Sequence, residues 1–175
     1  MGKIIITALP GFTIRLASKK DIFLIRDLIL ELADYEKLTH VVTMDASLLE
    51  KYLFGKKKYA EVLLACYKDL PVGFALFFHN FSTFLGKPGI YLEDLYIREK
   101  FRGKGYGKAL LSFIANIAIE RDCGRIEWSV LDWNKPAIEF YQSLGSEILK
   151  EWLINRVTGE DMKKLAQSFR KYELD

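Results

Sequence analysis

An apolar run from Ile90 to Ile97 is followed by Arg102-Gly103-Lys104-Gly105-Tyr106-Gly107, which opens directly into a helical pattern from Lys108 to Arg121. Three alternating glycines at such a junction call for a strand–turn–helix unit. They let the backbone turn tightly and bring its N–H groups close to a bound anion. The helix N-terminus behind them supplies about half a positive charge, and Arg102, Lys104 and Lys108 add full ones. The stretch reads as a cradle for a phosphate-bearing ligand, with a purely structural glycine turn as the alternative.

Spacing removes two familiar phosphate motifs. In a Walker A loop the first glycine stands five residues before Gly-Lys and a Ser or Thr follows. Here the Gly-Lys pair is Gly107-Lys108, the earlier position is Arg102, and Ala109 stands at the magnesium-ligand position. A dinucleotide fingerprint G-x-G-x-x-G fails because Lys108 occupies the last glycine position. Glu127, which lies inside the next apolar strand, is no substitute for the ribose-binding acid.

At 175 residues, 50% of them apolar, the chain suits a single domain over 1–175 with its core at about 12–170. A net charge of +3 is too mild for a general nucleic-acid binder, and Lys56-Lys57-Lys58 reads as a solvated loop. Cys66 and Cys123 form no C-x-x-C, which fits reduced thiols in an intracellular protein. His40 and His79 are the only histidines, so neither a zinc site nor a histidine triad is expected. Met1 to Gly11 lacks a cleavage pattern, and Ile6 spoils a myristoylation match. No run approaches the ~20 apolar residues of a membrane span. A soluble cytoplasmic domain with no membrane, nucleic-acid or metal partner is expected.

The elements read strand, helix, helix, three strands, helix, strand, helix, strand, helix. Phe12 to Leu16 alternates as a strand. Ser18, with Asp21 three residues on, caps a helix carrying Ile22, Ile25, Leu28, Ile29 and Leu32. Thr43 is placed to cap a short helix through Leu53. Glu61–Tyr67 and Val72–Phe78 flank Lys68-Asp69-Leu70-Pro71 as a hairpin, and Phe81 to Pro88 reads as an aromatic loop. Leu110, Ile114, Ile117 and Ala118 form the buried stripe of the glycine helix. Arg125 to Leu131 is a strand, Asn134 caps a helix with Pro136 in its first turn, and Glu147 to Asn155 is a strand. Thr158 starts a final amphipathic helix through Met162, Leu165 and Phe169. Hairpins in the middle of a mixed order indicate an α+β fold with a mixed sheet rather than a doubly wound one.

Glu93 and Asp94 stand side by side in the otherwise apolar strand Ile90-Tyr91-Leu92-Glu93-Asp94-Leu95-Tyr96-Ile97. Alternation sends them to opposite faces, so at least one is partly buried. A buried carboxylate is costly without a partner, which makes the pair a site candidate, with a strand-end ion pair as the alternative. The cluster Trp133 to Tyr141 is explained by capping and core aromatics when taken alone.

Three segments in order carry more: Tyr91-Leu92-Glu93-Asp94, then Arg102 to Gly107 as R-x-x-G-x-G, then Asn134-x-Pro136-Ala137-x-x-Phe140-Tyr141-x-x-x-Gly145. Together they resemble the GNAT acetyltransferase superfamily, nearest its diamine (spermidine/spermine) and thialysine branch. Glu31-Leu32-Ala33-Asp34-Tyr35-Glu36 resembles the same branch. The resemblance implies a GNAT-type central sheet, mostly antiparallel and flanked by helices, and an acetyl-CoA-dependent N-acetyltransferase that acts by direct attack.

The resemblance also implies roles for individual residues. The segment Leu95-Tyr96-Ile97, through backbone groups of Leu95 and Ile97, takes the acetyl and pantetheine end of coenzyme A. Arg102 binds the cofactor together with Gly103, Lys104, Gly105, Tyr106, Gly107 and Lys108, which hold its pyrophosphate. Asn134, Lys135, Pro136 and Ala137 contact the pantetheine arm. Tyr141, beside the cofactor sulfur, is the general acid, and Glu93 accepts the amine proton directly or through water. Tyr35, Glu36, Glu93 and Asp94 line the acceptor site, and a homodimer exchanging C-terminal strands is expected. The chemistry is coherent, since an amine of pKa about 10 must lose a proton before attack. The loop Phe81-Ser82-Thr83-Phe84 carries no acid, and only Glu147 and Glu151 precede Trp152. A polyamine, a shorter diamine and a lysine-like acceptor therefore all stay open, beside a peptide N-acetyltransferase or a non-catalytic acyl-CoA sensor.

Overall fold

In the computed structural model, which describes residues 4–169, the alternating segments build one six-stranded sheet in sequence order. The first five strands, β1 (Ile4–Ile6), β2 (Phe12–Leu16), β3 (Glu61–Tyr67), β4 (Leu70–Ser82) and β5 (Lys87–Ile97), are antiparallel neighbours. β6 (Ile126–Trp128) then pairs parallel to β5. A parallel pair needs a crossover, and the glycine-led helix Tyr106–Glu120 supplies it. The mixed, mostly antiparallel α+β architecture is as expected. Residues 1–3, part of the leader reading, and residues 170–175 lie outside the described residues.

The helices are α1 (Ile22–Tyr35), α2 (Ala46–Phe54), α3 (Tyr106–Glu120), α4 (Lys135–Gln142) and α5 (Gly159–Gln167). At the start of α1 the Asp21 carboxylate accepts from Ser18 N at 2.8 Å and from Ser18 Oγ at 2.9 Å. The same carboxylate takes a two-pronged bond from Arg15 on β2, at 2.6 and 2.9 Å. The Arg15 guanidinium, helped by the Ser18 bonds, pulls Asp21 down to about 2. One acid thus caps a turn and ties α1 to the sheet.

Two apolar faces leave the sheet. Ile25, Leu28 and Leu32 of α1 and Leu53 of α2 pack with Val62, Leu64, Phe74 and Tyr96. α3 contacts β3 and β5 on the other face with Leu110, Ile114, Ile117 and Ala118 buried, the stripe read from the sequence. Each buried aliphatic side chain contributes roughly 1.5–3 kcal/mol. Tyr106, the first residue of α3, lies flat on Phe12 of β2 with ring centroids 4.2 Å apart. This stack seats the start of α3 against the sheet.

Several boundaries differ from expectation. Asp45, not Thr43, caps α2, its Oδ1 accepting from Leu48 N at 2.9 Å. The β3–β4 turn is the two residues Lys68 and Asp69, both with positive φ (46° and 65°), a geometry that matches strand twist better than a four-residue loop. Leu70 and Pro71 join β4, where Pro71 sits beside a ladder irregularity at Ala65/Cys66 and costs no regular bond. The aromatic loop shrinks to Thr83–Gly86, since β4 and β5 pair out to Ser82 and Lys87. The edge strand β1 was not anticipated, its three residues being too few to show alternation.

The chain divides into two compact units, Met1–Ser129, holding the sheet with α1 to α3, and Val130–Asp175, holding α4 and α5. The strand expected over Glu147 to Asn155 does not form. A strand needs a ladder partner, and the second unit has no other strand among its described residues. The strand expected over Arg125–Leu131 is cut to Ile126–Trp128, where β5 offers pairing. α5 starts at the Thr158 cap as read but stops at Gln167, short of Phe169. Among the described residues no helix is long and apolar enough to cross a membrane.

Gly73 on β4 faces Ile97 across the ladder, and a methyl there would run into the Tyr96 carbonyl oxygen and the Ile97 side chain. Gly73→Ala is expected to cost about 1–3 kcal/mol, the usual toll of overpacking. Urea unfolding of the two proteins measures it; equal midpoints and slopes would show that β4 and β5 do not meet this tightly.

Candidate functional site

The exit of β5 leads through a single 3₁₀ turn, Glu99–Phe101, into the glycine run. Gly103 (φ +72°) and Gly105 (φ +82°) both take the left-handed conformation that side chains avoid. Gly105 is the N-cap of α3 and brings no capping side chain. The first helical bond of α3 runs from Ala109 N to Gly105 O at 2.9 Å, so the N–H groups of Tyr106, Gly107 and Lys108 precede it and have no partner within the helix. A Cβ at Gly103 would meet nothing within 4 Å, leaving that side of the loop open. The Tyr106 ring is buried, so only its backbone is available to a ligand.

Arg102 is placed unexpectedly. Its Nε donates to the Ile97 carbonyl at 2.8 Å, and its guanidinium carbon stands 4.3 Å from the Tyr35 ring centroid and 5.7 Å from that of Tyr96. Lys104 lies 5.3 Å from the Phe101 ring centroid, and Lys108 is exposed.

β5 carries two irregularities that shape its surroundings. β6 accompanies it only from Ile90 to Leu92, whereas β4 follows it to Ile97. Arg98 N donates to Val72 O at 2.9 Å, so by ladder alternation Leu95 and Ile97 turn their backbone groups away from β4, toward the side β6 has left. The second irregularity is a bulge. Leu76 opposes Asp94 but Phe77 opposes Leu92, which leaves Glu93 as the extra residue.

The bulge resets the alternation. Without it Leu92, Asp94 and Tyr96 would share a face. With it Leu92 sides with Phe77, while Asp94 and Tyr96 side with Leu76 and Phe74, toward α1. Glu93 is exposed and Asp94 half-buried. Burial, then repulsion from Glu93 and Glu36, pushes the Asp94 carboxyl up to about 7. Burial also raises Glu36, which is half-buried just past the end of α1.

Tyr35 and Glu36 are held by the way α1 stops. Lys37 takes a left-handed φ of 61°, Leu38 N donates to Ala33 O at 2.8 Å and Lys37 N to Asp34 O at 3.0 Å. This paired closure satisfies the last helical carbonyls. One turn earlier Glu31 takes bonds of 2.6 and 2.8 Å from Arg98.

In the second unit, the buried Asn134 side chain accepts from Ala137 N at 3.4 Å and Pro136 sits in the first turn of α4, the capping read from the sequence. Lys135 opens the helix, and Tyr141 follows near its end with its ring 5.2 Å from Phe140. The structure thus brings the glycine run, Arg102, Tyr35, Glu36, Glu93 to Ile97 together around β5. Asn134 to Ala137 and Tyr141 share α4. Sequence reading missed the bulge, the Arg102–Tyr35 stack and the Glu31–Arg98 pair. The bulge alone had a signal: strict alternation would have placed Asp94 on one face with Leu92 and Tyr96.

The profile of the acetyltransferase (GNAT) family matches residues 28–145, which span every candidate residue from Tyr35 to Tyr141. The chain belongs to the GNAT family. It is an N-acetyltransferase, as are the relatives it resembles. It is 34% identical to the L-ornithine N5-acetyltransferase NATA1 of Arabidopsis thaliana, over 87% of this chain and 86% of that one. It is 36% identical to the thialysine N-epsilon-acetyltransferase of Bos taurus, over 87% of this chain and 96% of that one. Among solved structures, an integron cassette protein from the mobile metagenome of V. cholerae superposes with a TM-score of 0.75 at 28% identity, covering 90% of this chain and 99% of that one. The GNAT fold and the diamine/thialysine branch read from the motifs are therefore both found.

The position of Asp94 in this GNAT sheet has a measurable consequence. Its carboxyl rises from an ordinary 3.8 to about 7 on folding. Below about pH 4 both folded and unfolded chains hold the proton and nothing is lost. As pH climbs toward 7 the unfolded chain ionises first, so stability falls through that window and stays lower above it. Asp94→Asn is expected to raise the melting temperature by a few degrees at pH 8 and to leave it nearly unchanged at pH 4, read by thermal denaturation. Equal shifts at both pH values would show that the carboxyl is not held up by the fold.

Proposed function

We propose that this GNAT protein moves an acetyl group from acetyl-CoA to a primary amine of a small basic molecule, a diamine, a polyamine or a lysine- or ornithine-like amino acid. The observation that carries the reading is the carboxylate group Glu36, Glu93 and Asp94, in which burial first, and then the charges of Glu93 and Glu36, hold Asp94 up at about 7. Such crowding is relieved by a cation, and a protonated amine is the cation an acetyltransferase receives. The names of the relatives agree, ornithine and thialysine both being amino acids with a side-chain amine. A spermidine/spermine N(1)-acetyltransferase-like protein of Homo sapiens, 31% identical over 91% of this chain and 24% of that one, keeps polyamines in the class.

The residues around β5 fit coenzyme A. The open loop at Gly103, the left-handed Gly105 and the three N–H groups at the start of α3 suit a pyrophosphate, with Lys104 and Lys108 for charge. Backbone groups of Leu95 and Ile97, turned toward the gap, suit an amide-bearing arm by strand-like pairing, and Asn134 to Ala137 complete its contacts. When bound, acetyl-CoA supplies an acetyl thioester.

The chain's own groups handle the protons. Glu36 and Asp94 hold the ammonium form and orient it, with Tyr35 as a wall. Glu93, exposed at the bulge, takes the amine proton and passes it to solvent, directly or through one water. Tyr141 Oη gives a proton to the departing sulfur, so no covalent enzyme intermediate is needed. The free thiols Cys66 and Cys123 agree with a cytoplasmic setting.

The second unit supports a homodimer. Ile148, Leu149, Trp152, Leu153 and Ile154 are all exposed there, an apolar segment of the kind that marks an interaction surface. Light scattering is expected to return twice the 20.2 kDa chain mass, with Trp152→Glu shifting it toward one; a monomer at all concentrations would reject the dimer.

The deciding experiment measures thiol release from acetyl-CoA with putrescine, spermidine, lysine, ornithine, thialysine and a peptide amine. Turnover on the small basic amines is expected. Tight coenzyme A binding with no turnover on any of them would replace the enzyme with a sensor, and turnover on the peptide alone would make it a peptide acetyltransferase. Tyr141→Phe should lower kcat by about a hundredfold while leaving coenzyme A affinity nearly unchanged. Full activity in that variant would remove Tyr141 from the acid role.

A further inference from the structure

Arg102 is the arginine of the R-x-x-G-x-G run, and its sequence position makes it a phosphate ligand. Its contacts lead elsewhere. Nε is spent on the Ile97 carbonyl at 2.8 Å, and the guanidinium carbon lies over Tyr35, 4.3 Å from the ring centroid, with that of Tyr96 at 5.7 Å. Among the described residues no carboxylate pairs with it. The last turns of α1 are consequently tied to the exit of β5 by two guanidinium groups. Arg98 grips Glu31 at 2.6 Å and Pro71 O at 2.8 Å, and Arg102 covers Tyr35, which is one turn further along the same face of α1.

We propose that Arg102 is a positioning residue for the acceptor amine, holding Tyr35, and with it the adjoining Glu36, against the strand that carries Asp94. This rests on the function proposed above and specifies how its acceptor side is built. A guanidinium suits the task because it can donate along its edge to Ile97 O and present a flat face to Tyr35 at once. A lysine keeps the charge but cannot do both. Glu36 follows Tyr35 directly at the end of α1 and is one of the two charges acting on Asp94, so any drift of Tyr35 loosens the ammonium site.

The test separates the two roles through Arg102→Lys. As a positioning residue, its loss is expected to raise the KM for ornithine or spermidine about fivefold to tenfold, the range of a partly shielded cation–π contact. The Kd for acetyl-CoA, by calorimetry, should change by less than about twofold, since a positive charge remains beside the loop. Tyr35→Leu should reproduce the amine defect, and adding Arg102→Lys to it should make matters no worse. A weakened acetyl-CoA Kd with an unchanged amine KM, or additive defects in the double variant, would overturn the proposal. Hydrogen exchange in the free protein gives a readout independent of turnover: the amides of Lys37 and Leu38 should exchange faster in Arg102→Lys, and unchanged exchange would equally overturn it. If the unmodified protein acetylates no amine, the proposed function falls, and the exchange measurement alone then decides the role of Arg102.

Discussion

A single extra residue in β5 determines what the central strand can do. β5 opens with Ile90 and Leu92 facing α3 and ends with Asp94 and Tyr96 facing α1, a reversal that only the bulge at Glu93 allows. A regular strand would offer two choices. Asp94 would enter the α3 face with Leu92, or Leu92 would leave it and open a hole beside Phe77. The first buries an unpaired charge and the second removes a fully buried side chain, each costing several kcal/mol. The bulge avoids both and leaves Glu93 in solvent next to a sheltered Asp94.

In the proposed function the same strand serves two ligands on separate sides. Its edge, freed where β6 stops after Leu92, presents the backbone of Leu95 and Ile97. Its α1 face presents Asp94 and Tyr96. Where the strand ends, the chain turns into the glycine run, so the anion cradle is covalently the next element. On that proposal, a donor along the edge and an acceptor at the face would be brought into register by one strand. Tyr106, flat against Phe12, fixes the start of α3 so that the cradle keeps its place relative to the edge.

Much of this was legible in the sequence because it depends on local chemistry. The glycine run required a strand–turn–helix unit, the α3 stripe Leu110, Ile114, Ile117 and Ala118 is buried as its period demands, and Asn134 caps α4. The order of three short motifs resembled a family to which the chain does belong. What escaped depends on partners distant along the chain. Glu147 to Asn155 has strand composition, yet composition cannot supply a neighbouring strand. Asp45 outcompeted Thr43 because the α2 register put Leu48 N within its reach. Arg102 carries a charge that fits a phosphate, and nothing in the run around it reveals that a tyrosine sixty-odd residues away, on α1, takes its guanidinium face.

The electrostatics of the site reinforce the separation of donor from acceptor. Lys104 and Lys108 surround the cradle, and Glu36, Glu93 and Asp94 gather on the acceptor side. Two fields of opposite sign so close together suit the proposed pair of ligands, an anionic cofactor and a cationic amine, each of which would neutralise the field that draws it. Arg102 stands between them, and a mobile cation there would be pulled toward the carboxylates and blunt their attraction for the amine. Spending its donor on Ile97 O and its face on Tyr35 keeps that charge at a fixed distance. The raised carboxyl of Asp94 is the corresponding cost on that side: the fold holds a group that is unstable when charged and alone, and in the proposed function a positively charged amine would be the ligand that stabilises it.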